Sequence, residues 1–269
     1  MILSAPLTRK FTGLLAVALF ASLGGCQQHK SGPIVVDVIG DHSMFDHPLR
    51  HDGHATAQTL LAATAQGLLA FNAQGEVIGG LAESWIVLDR GQSYIFRLNR
   101  ADWANGKPVK AELVARLLQQ RFEANPDMLA GLTPEVRAMT DQVVEIRLDT
   151  AVPTFLQLLA QPQFAILSRD GGTGPYRLEK TAHKDDQITL IPARDPNDDN
   201  GDGDQPKSKP AAKRILGADQ AAMAVVRYSA QKTDLVLGGR FEDLLIVQAG
   251  RQTGSDLRAD PVPGLFGLA

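Results

Sequence analysis

The sequence predicts an α/β fold, on three observations. Short β-branched runs alternate along the chain with amphipathic helical stretches, the pattern of layered strands and helices. The composition is 44% hydrophobic and 21% charged over 269 residues, ordinary globular values that supply a large core. No repeat of fixed period runs through it. That length fits one large domain or two small ones.

Each element has its own signal. Residues 34–39, "IVVDVI", are β-branched and short, so they form a buried strand. Residues 53–69 are alanine-rich, and Leu60, Leu61, Thr64 and Leu68 share a face at helical spacing. Residues 84–88 and 93–98 alternate, with Trp85 and Val87 on one face and Tyr94, Phe96 and Leu98 on another; Asp89-Arg90-Gly91-Gln92 is turn chemistry between them, so the pair is a hairpin. Residues 111–122 form a helix with Val114, Leu117, Leu118 and Phe122 in one stripe. Residues 143–148 form a strand, and Pro153 opens a helix over "PTFLQLLA". A short strand follows at 164–167. Residues 176–180 and 187–191 pair as a second hairpin. Asp219 caps a helix over 219–228, and 234–237 is a strand ending in Gly238-Gly239.

The N-terminus lies outside this fold. Arg9 and Lys10 precede an apolar run, "FTGLLAVALFASL", too short to span a bilayer and of signal-peptide length. It ends in Leu23-Gly24-Gly25-Cys26, which resembles the bacterial lipoprotein signal. The resemblance implies cleavage after residue 25 and a lipid on Cys26. An ordinary secretory signal is the alternative. Cys26 is the sole cysteine, so a disulfide within the chain is excluded. Loss of residues 1–25 removes Arg9 and Lys10 and no acid, taking the net charge from −3 to −5. Residues 26–33 are polar and read as a tether from a membrane surface. No basic block marks a nucleic-acid footprint, so nucleic acid is not an expected partner.

Several strings in order carry a further resemblance. Leu81-Ala82-Glu83-Ser84-Trp85, Tyr94-Ile95-Phe96-Arg97-Leu98, Asn105-Gly106-Lys107-Pro108 and Ala111-Glu112-Leu113-Val114 stand within residues 67–114. "PTFLQLLAQPQFAIL", "GTGPYRL" (Gly172 to Leu178) and "KTDLVLGG" follow. Together they resemble the solute-binding proteins, family 5, of bacterial ABC importers for peptides and nickel complexes. The resemblance covers roughly residues 34–250. It implies a periplasmic-binding-protein-like fold, the type II clamshell that closes on its ligand by a hinge. It also implies importer membrane subunits as partners, an extracytoplasmic site of action on the periplasmic face, and no enzymatic role. Family members are roughly twice this length. Residues 34–260 therefore correspond to the first lobe. "PVPGLFGLA", 261–269, stands where the family chain starts its crossover to a second lobe, which is expected to be missing or truncated.

Three sets of residues are candidate sites. Gly238, Gly239, Arg240 and Phe241 end a strand, where open α/β sheets bind ligands; the glycines admit close approach and Arg240 suits a carboxylate. A tight turn with a solvated arginine is the alternative. Asp46 and His47 lie in the segment that the family places near its cleft. Around them, Asp41, His42, His51, Asp52 and His54 complete a set with zinc or nickel chemistry. The third set is in "DPNDDNGDGDQPKSKP", residues 195–210: Asp198, Asn200, Asp202 and the Asp204 carbonyl are spaced as in a calcium loop. Lys209 stands where a bidentate glutamate should close it, so a hydrated surface loop is the stronger reading and calcium the weaker. Trp85, Tyr94, Phe96 and Trp103 look like a ligand shelf, yet strand alternation puts them in the core. No nucleophile elbow, phosphate loop or H-E-x-x-H motif occurs, and no cofactor is implied.

Three functional readings remain at this point. The first is a lipid-anchored binding protein for peptides or similar solutes. The second is a metal-binding lipoprotein, and the third a truncated remnant that binds no solute.

Overall fold

The structure is a computed structural model that describes residues 32–169, 171–179, 187–193, 212–250 and 257–258. In chain order the elements begin with β1 (Ile34–Ile39), two 3-10 turns (His42–Phe45 and Pro48–Arg50) and α1 (Ala55–Thr64). β2 (Leu69–Phe71), β3 (Val77–Gly79), β4 (Ala82–Leu88) and β5 (Ser93–Leu98) follow. Then come α2 (Ala111–Ala124), α3 (Pro126–Leu129), β6 (Glu135–Thr140), β7 (Val143–Arg147) and α4 (Phe155–Leu159). The last group is β8 (Tyr176–Leu178), β9 (Gln187–Pro192), β10 (Arg214–Asp219), α5 (Ala221–Ser229), β11 (Leu235–Leu237) and α6 (Leu244–Ala249).

Two sheets carry the fold. The first has strand order β11-β1-β10-β9-β8. β1 lies between β10 and β11, parallel to both, and β9 and β8 extend the sheet antiparallel. α5 connects β10 to β11 on the far side of β1, the kind of crossover that parallel strands of one sheet require. Val36, Val38, Leu216, Ile188, Leu190 and Tyr176 form the apolar layer that packs with Leu60 of α1. The second sheet is antiparallel, β4-β5-β7-β6. α2 supplies Val114, Leu118 and Phe122 to its core, and α4 supplies Phe155 and Leu159. Tyr94, Phe96 and Trp103 are buried in that core and Trp85 packs on its margin, so the aromatics are core and not a shelf.

Two buried charge networks tie the elements together. Asp37, in the middle of β1, is fully buried, and its Oδ2 accepts from the Thr233 hydroxyl at 2.5 Å. The same oxygen lies 3.2 Å from Arg227 Nε of α5, while Arg227 Nη1 donates to Asp219 Oδ2 at 3.0 Å. One guanidinium thus holds the last residue of β10 and the centre of β1. The second network is centred on Arg121 of α2. Its Nε donates to the Gln163 carbonyl at 2.8 Å, its Nη1 to the Leu49 carbonyl at 3.1 Å, and its Nη2 pairs with Asp52.

Four expectations need correcting. α1 ends at Thr64, and Ala65 is extended (φ −131°, ψ 162°), so Leu68 is not on the helix. The cause is steric. Gly172 and Gly174 pack their backbone on Thr64 and Ala65, and the Gly174 N–H donates to the Thr64 carbonyl at 3.0 Å. The segment at 164–167 is no strand; Ile166 makes one bridge to Gln66 after a 3-10 turn over Pro162–Phe164. Asp219 is the end of β10, and Gln220 is the N-cap of α5. β2, β3, β6, β10, α3 and α6 answer to no element expected from the sequence.

Candidate functional site

The parallel strands β1, β10 and β11 all point their carboxyl ends to one rim. Glycines shape this rim. Gly40 follows β1 and donates its N–H to the Asp219 carbonyl at 3.0 Å, joining the ends of β1 and β10. Gly238 follows β11 at φ +79°, a left-handed conformation that other residues rarely adopt. A Cβ there would lie 2.7 Å from Ala55 Cβ at the start of α1, so only glycine fits on both counts.

Beside the end of β11 is a groove of about 560 Å³. Gly238, Gly239, Arg240 and Phe241 line it, facing Val225 and Tyr228 of α5. Its walls are mainly apolar, and Phe241 is 75% exposed. The Arg240 N–H donates to Asp243 Oδ2 at 2.8 Å and closes the 3-10 turn Phe241–Asp243. Its guanidinium is in the open, 3.7 Å from Glu242, and has donors left for a further anion. Sequence reading found these four positions but missed Val225 and Tyr228. Their spacing of three on a helix was the available signal.

Asp46 and His47 stand elsewhere. They are exposed between the two 3-10 turns after β1 and are not among the residues lining the groove. The wider histidine and aspartate set does not assemble. Among the described residues, no three His, Cys, Asp or Glu side chains are placed to hold one metal ion. The acids have other work. Asp41 Oδ1 accepts from the Ser43 N–H at 2.8 Å, and Ser43, with help from His42 and His51, holds its carboxyl below the usual range. Asp52 is engaged by Arg121. His42 packs edge-on against Phe45, ring centroids 5.3 Å apart. Cys26 and the acidic loop with Asp198, Asn200, Asp202 and Asp204 lie outside the described residues.

The decisive comparison is at the level of family. The model for bacterial extracellular solute-binding proteins, family 5 Middle, matches residues 76–225. The chain belongs to this family.

As a family 5 chain it also superposes on solved binding proteins. It is similar to the binding protein AgaA of A. tumefaciens R10 in complex with agropinic acid (TM-score 0.63, 19% identity, covering 76% of this chain and 43% of that one). Helicobacter pylori DppA in complex with the peptide STSA gives a TM-score of 0.62 at 17% identity, over 81% of this chain and 49% of that one. Campylobacter jejuni NikZ in complex with Ni(L-His) gives 0.58 at 16%, over 76% and 43%. At these identities the likeness establishes the periplasmic-binding-protein-like fold. The family 5 chain spans about half the length of the structures it matches. No curated protein sequence matches it.

Proposed function

We propose that this chain serves as the extracytoplasmic solute-binding component of an ABC importer, taking peptides or similar small solutes, and that it is held at the membrane by a lipid on Cys26. One observation carries the reading. In a family 5 fold, residues 238–241 line an open, largely apolar groove at the carboxyl end of a parallel strand, where sheets of this kind bind ligands. Apolar walls suit side chains of varied shape, while Arg240 offers a fixed charge to a carboxylate. Residues 34–260 would act as the first-lobe part of such a protein. Residues 1–25 would be its signal, 26–33 its tether and 261–269 the start of the crossover.

Calorimetry tests the solute class. Dipeptides and oligopeptides are expected to give saturable heat, and Ca²⁺ or Ni²⁺ none. Heat from the metal ions alone would replace this reading with the metal-binding one, and no heat from any would leave the remnant. The anchor is tested separately, because no helix among the described residues is long and apolar enough to cross a membrane. Cells expressing the full chain with labelled palmitate should yield a labelled protein, and Cys26→Ala should carry no label. Equal labelling of both would refute lipidation at Cys26.

A further inference from the structure

We propose that residues 259–269 of this chain are an occupant of the groove beside β11. The walls of that groove are apolar well beyond what a water-facing surface needs. α6 reads Leu-Leu-Ile-Val-Gln-Ala, with five of its six side chains apolar, and none of them is buried. A helix that is apolar all round belongs in a core. It touches α5 where Gly250 meets Val225, since a Cβ on that glycine would come within 2.8 Å of Val225 Cγ1. Elsewhere the apolar surface is open. Leu245 of α6 is 74% exposed, and Phe241, Met223 and Val226 are exposed as well. An apolar patch of this kind marks a place that something else covers.

The chain itself delivers the cover. Leu257 and Arg258 line the groove, so residue 259 starts at its wall. Residues 259–269, "ADPVPGLFGLA", lie outside the described residues. They carry one charge, Asp260, and the large apolar side chains Val262, Leu265, Phe266 and Leu268. Leu265 is seven residues past Arg258 (265 − 258), a reach of up to about 23 Å, so it can return to the groove. A segment tethered at the wall meets the groove at an effective concentration on the order of millimolar, an advantage over any free partner. Pro261 and Pro263 lower the entropy lost when the segment is fixed. The charges match too: the Arg240 guanidinium is in the open, and Asp260 is two residues from the wall (260 − 258). A crossover starting at residue 261 would then begin inside the groove. This seating goes beyond solute binding and does not rest on it. Where the groove also takes a solute, the solute must displace the segment, and its apparent affinity is scaled down by the fraction of chains with an open groove.

The test is nuclear magnetic resonance on the full chain with labelled Val and Leu methyl groups and Phe rings. Overhauser contacts are expected between the Phe266 ring and the methyl groups of Val225, Leu244 or Val247. The double variant Leu265→Asp/Phe266→Asp should lose them and shift those methyl signals, while the Val144 methyl signals in the other sheet stay in place. No contact from the Phe266 ring in the parent, or groove methyl signals unmoved in the double variant, would overturn the proposal. A mixture of two differently labelled samples covers the rival occupant: contacts found only between copies assign the groove to a second copy and overturn it as well. If the double variant does not fold, the parent contacts decide alone. None of these readouts uses a solute, so a chain that binds no peptide still decides the seating. Peptide binding that leaves the Phe266 contacts intact would instead count against the groove as the solute site.

Discussion

Replacing Arg121 with alanine is expected to lower the unfolding free energy by about 3–5 kcal/mol. Its side chain is 8% exposed and that of Asp52 16%, so the pair is well shielded from water. The alanine variant would strand the Asp52 carboxylate and remove the donors to the Gln163 and Leu49 carbonyls. Most of the loss is the cost of an uncompensated buried charge, not the worth of the pair. The double variant Arg121→Ala/Asp52→Ala should therefore lose less than the two single variants summed. Urea unfolding at constant slope measures this. An Arg121→Ala protein within 1 kcal/mol of the parent would show that the network contributes little.

Gly174→Ala is expected to cost about 3 kcal/mol or more, at the upper end for an overpacked site. The new Cβ would lie 2.4 Å from the Thr64 carbonyl carbon and 2.6 Å from both the Ala63 oxygen and the Ala65 nitrogen. All three are backbone atoms, so no side chain can swing aside. Relief requires separating the 172–174 segment from the end of α1, which breaks the Gly174 N–H bond to Thr64. For a domain of this size the melting temperature should fall by roughly 6–12 °C. Gly53→Ala is the matched control, because nothing lies within 4 Å of its Cβ position. It should change stability by less than about 0.5 kcal/mol. Equal effects at the two glycines would discard the steric account.

The same glycines show how far the sequence could be read. "GTGPY" was visible as a family signature, but its reason was not. Gly172 and Gly174 are needed because another segment's backbone occupies the space, a fact with no local trace. The over-long α1 has the same cause, since helical spacing continues to Leu68 while packing stops the helix at Thr64. β10 was missed because its alternation is broken. Gly217 interrupts the apolar run, and a Cβ there would lie 2.6 Å from the buried Asp37 Oδ1. β6 was missed because it is an edge strand, largely exposed and carrying Glu135 and Arg137. In the candidate site, Gly238 to Phe241 were legible as a strand end.

The position of β1 also sets an order of assembly. Its neighbours are the last strands of the sheet; β10 begins at Arg214 and β11 at Leu235. The strands of the second sheet, by contrast, all fall between Ala82 and Arg147 and pair as antiparallel neighbours. A chain emerging from its N-terminus can complete the β4–β7 sheet while β1 has no partner. β1 waits for β10, which starts 175 residues after Ile39 (214 − 39). Through that interval "IVVDVI" is an exposed apolar strand with both edges open, the kind of segment that pairs with the wrong neighbour. The carboxylate of Asp37 at its centre, costly to bury until Arg227 arrives, penalises such premature pairing.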